Sequence, residues 1–287
     1  MKIACVGCSW TEGSFHNFQL GSGYVDHYGT YPYILQKWLS EKNLQSTVYN
    51  CGRAGSSVYF NPFTCDYILK TFNPDVFILQ LTTFDRSFMK LDPLLPKDKQ
   101  MQWGYDEINK SYYKVWDNNV NMIHLTVGMS WIGARTSNNI TRQANFDKKF
   151  FKHVPSDLVE KVWKDRIKGK IVPEISLAEF SDYVCTWYEQ EANDLNYAPY
   201  EYYNSIYSLV DQLQALGKSV IPFYWLNHLP KLKTNLFPVR QFPIVEKLFD
   251  SKTFKELQID NGYHFGKQGN TRLVQEFLGP QVLEITK

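Results

Sequence analysis

The chain has 287 residues and a formal net charge of +2. That is long for one small domain but ordinary for a single α/β unit. Hydrophobic residues make up 44% and charged residues 21%, the balance of a soluble globular protein. Near-neutral charge argues against a nucleic-acid partner. No apolar run reaches the roughly 18 residues of a membrane span. Met1 to Val6 lead straight into a strand pattern, without the apolar stretch and cleavage site of a secretory signal. A cytoplasmic protein with no membrane partner is expected.

Residues 2–8, KIACVGC, form a short apolar run read as a buried strand. A helix is expected from about Tyr31 to Lys42, with Tyr33, Ile34, Trp38 and Leu39 as its apolar face. Residues 46–51, STVYNC, give a second strand that stops at Gly52. A helix over roughly Phe63–Phe72 follows, broken by Asn73-Pro74-Asp75. Residues 76–81, VFILQL, read as a third strand, apolar enough to be buried on both faces.

From 88 to 197 the pattern is lost. This stretch holds Trp103, Trp116, Trp131, Trp163 and Trp187, with short helical pieces such as Asp157–Trp163. It is too aromatic for disorder and is expected to be an insertion or cap within a single 1–287 domain. A helix at about Tyr200–Leu216, stopped by Gly217, restores regularity. Residues 218–225, KSVIPFYW, are a fourth strand; helices near Ile244–Phe249 and over 270–278 close the chain. This order is that of a doubly wound parallel sheet, in which ligands bind at the carboxyl ends of the strands.

The five cysteines, Cys5, Cys8, Cys51, Cys65 and Cys185, are an odd and sparse set, a poor disulfide framework. Cys5 and Cys8 have C-x-x-C spacing, but no second pair stands at zinc spacing, so buried inert thiols are expected. Aromatic residues reach 16%, with 8 Trp and 19 Tyr. They suit an aromatic core or a binding surface.

Three strand ends hold polar residues. After the first comes Gly7-Cys8-Ser9-Trp10-Thr11-Glu12-Gly13, where Ser9 can expose its hydroxyl and offer its own N–H to an oxyanion. After the second comes Asn50-Cys51-Gly52-Arg53-Ala54-Gly55-Ser56-Ser57, whose glycines admit a ligand close to the backbone. Neither cluster matches the glycine spacing of nucleotide sites. Before the last helix comes Asp260-Asn261-Gly262-Tyr263-His264-Phe265-Gly266, where His264 can act as a general base if oriented by a neighbour. Singly, a strand-end serine is usually a turn or cap and such a histidine usually structural.

In this order the three resemble the blocks of SGNH (GDSL-like) hydrolases. Ser9 in GCSWTEG looks like the first block, Asn50 to Gly55 like the second, and GYHFGKQG around His264 like the fifth. The resemblance implies a flavodoxin-like sheet over about 1–87 and 200–280, and a serine esterase that needs no metal or organic cofactor. It implies Ser9 as nucleophile and His264 as base. Asp260 or Asn261 would orient the ring, and the Ser9 and Gly55 N–H groups would hold the oxyanion. Two positions depart from the pattern. The third block commonly carries an oxyanion-donating Asn where this chain has Phe84, with Thr82, Thr83 and Arg86 as neighbouring donors. The fifth block normally has Asp three residues before the His, where this chain has Asn261, with Asp260 one residue earlier.

The substrate implied is a small-molecule or glycan ester, with deacetylation of a carbohydrate favoured because aromatic side chains stack on sugar rings. A weak or inactive binding or structural protein on the same fold is the alternative. Chains of the GCSWTEG kind also resemble hydrolase-like proteins of bacteriophages, which leaves open a homo-oligomer or a place in a virion.

Overall fold

A computed structural model describes residues 1–17, 22–25, 28–52, 56–82, 87–91, 105–106, 111–112, 123–128, 131–135, 144–145, 160, 164, 176–187, 198–227, 229, 232, 239–259 and 264–286. In chain order its strands are β1 (Lys2–Gly7), β2 (Ser14–Asn17), β3 (Ser22–Val25), β4 (Thr47–Gly52), β5 (Val76–Leu81), β6 (Ser87–Leu91), β7 (Tyr105–Asp106), β8 (Ser111–Tyr112), β9 (Ile123–Gly128), β10 (Trp131–Arg135), β11 (Ala144–Asn145) and β12 (Ser219–Tyr224).

Four strands form an all-parallel sheet in the order β12-β5-β1-β4. All four expected strands are in it, and the order is compatible with a flavodoxin-like arrangement. Every residue of β5 is buried, as is every residue of β1 after Lys2. This is the burial of parallel strands covered by helices on both faces. Pro222 lies in β12, at the edge of the described sheet, where its missing N–H is tolerated.

The two-residue period of the strands sorts the core. Ile3, Cys5, Ile78, Ile221 and Phe223 face one layer, and Ala4, Val6, Phe77 and Leu79 face the other. The first layer holds Leu35 and Leu39 of α2 with Leu273, Val274 and Phe277 near the C-terminus. The second holds Cys65 and Ile68 of α3 with Ile206, Val210 and Leu213 of α5. Here α1 is Ser9–Glu12, α2 Tyr31–Glu41, α3 Asn61–Thr71, α4 Leu177–Trp187 and α5 Ala198–Ala215. Thr30 caps α2, its hydroxyl oxygen accepting from the Tyr33 N–H at 3.4 Å, with Pro32 in the first turn. Asn73 after α3 and Gly217 after α5 take positive φ, 46° and 74°, which is how these helices stop where Asn-Pro and Gly suggested.

Several elements depart from expectation. The region from 88 onward does not lack pattern throughout, because β6, β9, β10 and β11 form an antiparallel sheet in the order β11-β10-β9-β6. β9 and β10 pair locally, Ile132 with Val127, but β6 joins them only through partners distant in sequence, such as Met89 with Leu125, which local periodicity does not reveal. Helix α4 opens on a capping box. Ser176 Oγ accepts from the Glu179 N–H at 3.2 Å, and the Glu179 carboxylate accepts from the Ser176 N–H at 2.7 Å. After α6 (Val245–Leu248), helix α7 (Ser251–Glu256) starts on Asp250, which accepts from the N–H groups of Lys252 and Thr253.

The last helix is longer than the expected 270–278. It runs from α8 (Lys267–Leu273) through a π segment (Val274–Leu278) into α9 (Gly279–Ile285). The π turn accommodates Pro280, which has no N–H to give. Gly279 lets this turn meet α2, since a Cβ there would lie 2.7 Å from the Trp38 ring. The expected Asp157–Trp163 piece falls mainly outside the described residues, and the 88–197 insertion does so in part. Among the described residues no helix is long and apolar enough to cross a membrane.

Cys5, Cys8, Cys51 and Cys65 are buried free thiols. Burial pushes the Cys5, Cys51 and Cys65 thiols well above their ordinary range. These four are therefore expected to resist a thiol reagent such as dithionitrobenzoate at pH 8 and to react once denaturant is added. Rapid native modification of any of them, located by peptide mapping, would contradict this packing.

Candidate active site

The four parallel strands end together, at Gly7, Gly52, Leu81 and Tyr224. The chain leaves β1 for β4 on one side through α2, and reaches β5 on the other side after α3. The sheet order therefore reverses between β1 and β5, the position where such sheets form a crevice. Ser9 stands there, two residues beyond β1.

Two glycines let α1 sit tight against the sheet. A Cβ on Gly52 would collide with the Glu12 backbone nitrogen and lie 2.6 Å from the Thr11 carbonyl carbon. A Cβ on Gly7 would collide with the Thr11 hydroxyl and lie 2.5 Å from Gln80 Oε1. The turn itself is closed by the Thr11 and Glu12 N–H groups, which donate to the Cys8 carbonyl at 3.0 and 2.9 Å. Gly13 ends it in the left-handed region, φ 86°. Gln80, fully buried at the end of β5, accepts from the Cys8 N–H at 2.9 Å and the Thr11 hydroxyl at 3.2 Å. Thr11 also pairs with the Tyr31 hydroxyl at 3.1 Å. The Ser9 N–H has no acceptor among the described residues.

His264 is placed from the other end of the chain. Its carbonyl accepts from the Ile259 N–H at 2.9 Å, and the Gly266 N–H donates to Leu257 O at 3.2 Å. These bonds flank an antiparallel bridge between Gln258 and Phe265. The Phe265 ring is buried against Trp225 at 5.0 Å and Phe254 at 5.3 Å. Gly269 leaves room for it, since a Cβ there would lie 2.7 Å from the ring. The Asn270 amide donates to Phe265 O at 3.2 Å and to Gly29 O at 2.7 Å, tying α8 to the segment before α2. Trp10 completes the wall, stacked on Trp225 at 5.3 Å and 9° and tilted against the His264 ring at 6.0 Å.

The result is a contact between residues 255 positions apart: Ser9 Oγ lies 2.8 Å from His264 Nε2. With the ring proton on Nδ1, Nε2 accepts from the serine hydroxyl, the arrangement by which a base activates a nucleophile. Cys8 Sγ, 3.9 Å from the same oxygen, is a much weaker partner.

The other expected site residues divide in two. Thr82 stands one residue beyond β5, its carbonyl accepting from the Tyr202 hydroxyl at 2.6 Å and its own buried hydroxyl without a partner among the described residues. Asn50 Oδ1 accepts from the Gly52 N–H at 3.0 Å and so shapes the turn after β4. Gly55, Thr83, Phe84, Arg86, Asp260 and Asn261 lie outside the described residues. So do the side chains of Trp103, Trp116, Trp131 and Trp187, expected at the mouth of the cleft. Among the described residues the aromatic ring recorded against the pair is that of Trp10, itself stacked on Trp225, and both lie outside the insertion. Among the described residues no group of three His, Cys, Asp or Glu side chains could hold a metal ion.

Sequence reading passed over Gln80, Thr11, Trp225 and Asn270. Gln80 had a signal: a lone amide in the apolar strand VFILQL must find partners once buried. Replacing Gly52 with alanine tests the close approach. Overpacking there is expected to cost about 1–3 kcal/mol, read as a lower denaturation midpoint, and to move α1 with Ser9. A Gly52→Ala protein of unchanged stability would show that α1 has slack. Searches against protein-family models, curated proteins and solved structures found no match for this chain.

Proposed function

We propose that this chain is a serine esterase of the SGNH type that removes an acyl group, acetyl by preference, from a carbohydrate. One observation carries the reading: Ser9 Oγ lies 2.8 Å from His264 Nε2 at the carboxyl edge of a parallel sheet. Ser9 Oγ attacks the ester carbonyl while His264 takes its proton. The tetrahedral oxyanion is held by the Ser9 N–H, which has no acceptor among the described residues, with the Gly55 N–H as second donor. His264 then protonates the leaving alcohol oxygen. Water, deprotonated by His264, attacks the acyl-serine and releases the acid and free Ser9. Asp260 or Asn261 orients the ring.

The Thr82 hydroxyl, buried beyond β5 without a partner among the described residues, and the Thr83 hydroxyl are further donor candidates, because a hydroxyl donates where Phe84 does not. The aromatic-rich 88–197 insertion is the proposed cap over the substrate. Carbohydrate is favoured over lipid because aromatic faces stack on sugar rings and no long apolar lid is evident in the sequence.

Turnover is expected to be slow, because losing one oxyanion donor costs roughly 100- to 1,000-fold, about 2.7–4 kcal/mol. A fluorophosphonate probe should label the wild type and not Ser9→Ala. Small activated acetates should be hydrolysed with the same dependence on Ser9, and Phe84→Asn should raise the rate. Absence of labelling under all conditions would favour the second reading, a binding or structural protein on this fold, such as a component of a phage particle. The Phe84 and Asn261 departures speak for that reading.

A further inference from the structure

We propose that Gln80 is a positioning residue for the nucleophile: its side-chain carbonyl fixes the Cys8–Ser9 turn so that Ser9 Oγ meets His264. As a statement about rate, this rests on the esterase reading above; as a statement about geometry, it stands alone.

Gln80 is fully buried and uses both ends of its amide. Oε1 accepts from the Cys8 N–H at 2.9 Å and from the Thr11 hydroxyl at 3.2 Å, while Nε2 donates to Leu81 O at 3.1 Å. The two donors to Oε1 lie one before and two after Ser9, so one oxygen grips the turn on both sides of the nucleophile. Thr11 passes the restraint on to Tyr31, 3.1 Å away and fully buried at the start of α2.

The bond to the Cys8 N–H also settles which amide is left over. Cys8 points its N–H into the core, toward β5, whereas the next N–H, that of Ser9, has no acceptor among the described residues. A rotated turn would exchange these roles and leave the oxyanion facing the wrong amide. Gly7 belongs to the same device. A Cβ there would stand 2.5 Å from Oε1 and 2.8 Å from the Gln80 Cβ, so the absence of a side chain lets the amide reach across from the neighbouring strand. Burying an amide in a parallel strand is costly unless each polar atom is paired, and the pairing found here is directed at the turn that carries Ser9.

The test compares Gln80→Met, which keeps length and removes both polar atoms, with Gln80→Glu, whose neutral carboxyl keeps an acceptor and a donor. Three quantities are read on the full chain: amide exchange of the Cys8 N–H, the nitrogen shifts of the His264 ring, and kcat and KM for p-nitrophenyl acetate. Gln80→Met is expected to speed Cys8 exchange and to lower kcat by about tenfold or more with KM little changed, the mark of lost transition-state alignment. Gln80→Glu is expected to restore kcat to within about threefold of wild type. Wild-type exchange and kcat in Gln80→Met would overturn the proposal. So would a Gln80→Glu protein as impaired as Gln80→Met, since volume would then matter and the acceptor would not. If Gln80→Met does not fold, Thr11→Val removes one partner of Oε1 and must itself alter kcat and Cys8 exchange, or the proposal falls. If the wild type has no esterase activity, the function reading fails separately. Cys8 exchange and the His264 shifts then decide, and Gln80→Met leaving both unmoved overturns the positioning role.

Discussion

Gly7 and Gly52 are register partners at the ends of β1 and β4, and the rest of the site depends on the absence of a side chain at both. The backbone of α1 lies where a Cβ on Gly52 would project. The Gln80 amide lies where a Cβ on Gly7 would project. A serine two residues after a strand could face many directions. Here the turn is pressed against β4, gripped by an amide from β5 and closed by a left-handed Gly13. Little freedom remains, and low freedom in the ground state is what a positioned nucleophile needs.

His264 reaches the same place by a different route. No regular strand carries it. A short bridge between Gln258 and Phe265 holds the backbone, and the Phe265 ring anchors the segment in an aromatic layer with Trp225, Phe249 and Phe254. Aromatic pairs of this kind contribute about 0.5–1.5 kcal/mol each beyond the area they bury. Trp10 belongs to the turn that carries Ser9, and its stack on Trp225 joins that turn to the layer that holds His264. Ser9 and His264 are thus fixed to one another through packed rings as well as through their own hydrogen bond.

Much of the high aromatic content belongs to the framework, not to an exposed surface. Tyr31, Tyr202, Phe223, Tyr224, Trp225 and Phe265 are among the largest fully buried side chains. Several carry polar tips that find partners, as Tyr202 does at Thr82 O and Tyr207 at the backbone of Arg240. The Tyr224 hydroxyl is buried without one among the described residues. Burial pushes the Tyr31 and Tyr224 phenols up, so both stay protonated at neutral pH.

The parallel sheet was legible in the sequence because its strands are mostly apolar and the chain around them is punctuated by Gly7, Gly52, Asn73-Pro74 and Gly217. These are local signals, arising from backbone freedom and from burial on two faces, and they mark strands whatever the rest of the chain does. The pairing of Ser9 with His264 was legible only as an ordered set of short motifs resembling a family. Antiparallel β6, β9, β10 and β11 were passed over: Ile123, Leu125 and Val127 of β9 do alternate with polar residues, but the other strands of that sheet are only two to five residues long and carry too little pattern to stand out. Continuation of the last helix past Gly279-Pro280 was hidden too, since it depends on a π turn and on the Trp38 ring of another helix. Gln80 shows the division most plainly. Its sequence context said only that an amide lay in a buried strand and required partners. That those partners are the Cys8 N–H and the Thr11 hydroxyl was decided by strand order, because only the placing of β5 beside β1 brings that amide under the turn that carries Ser9.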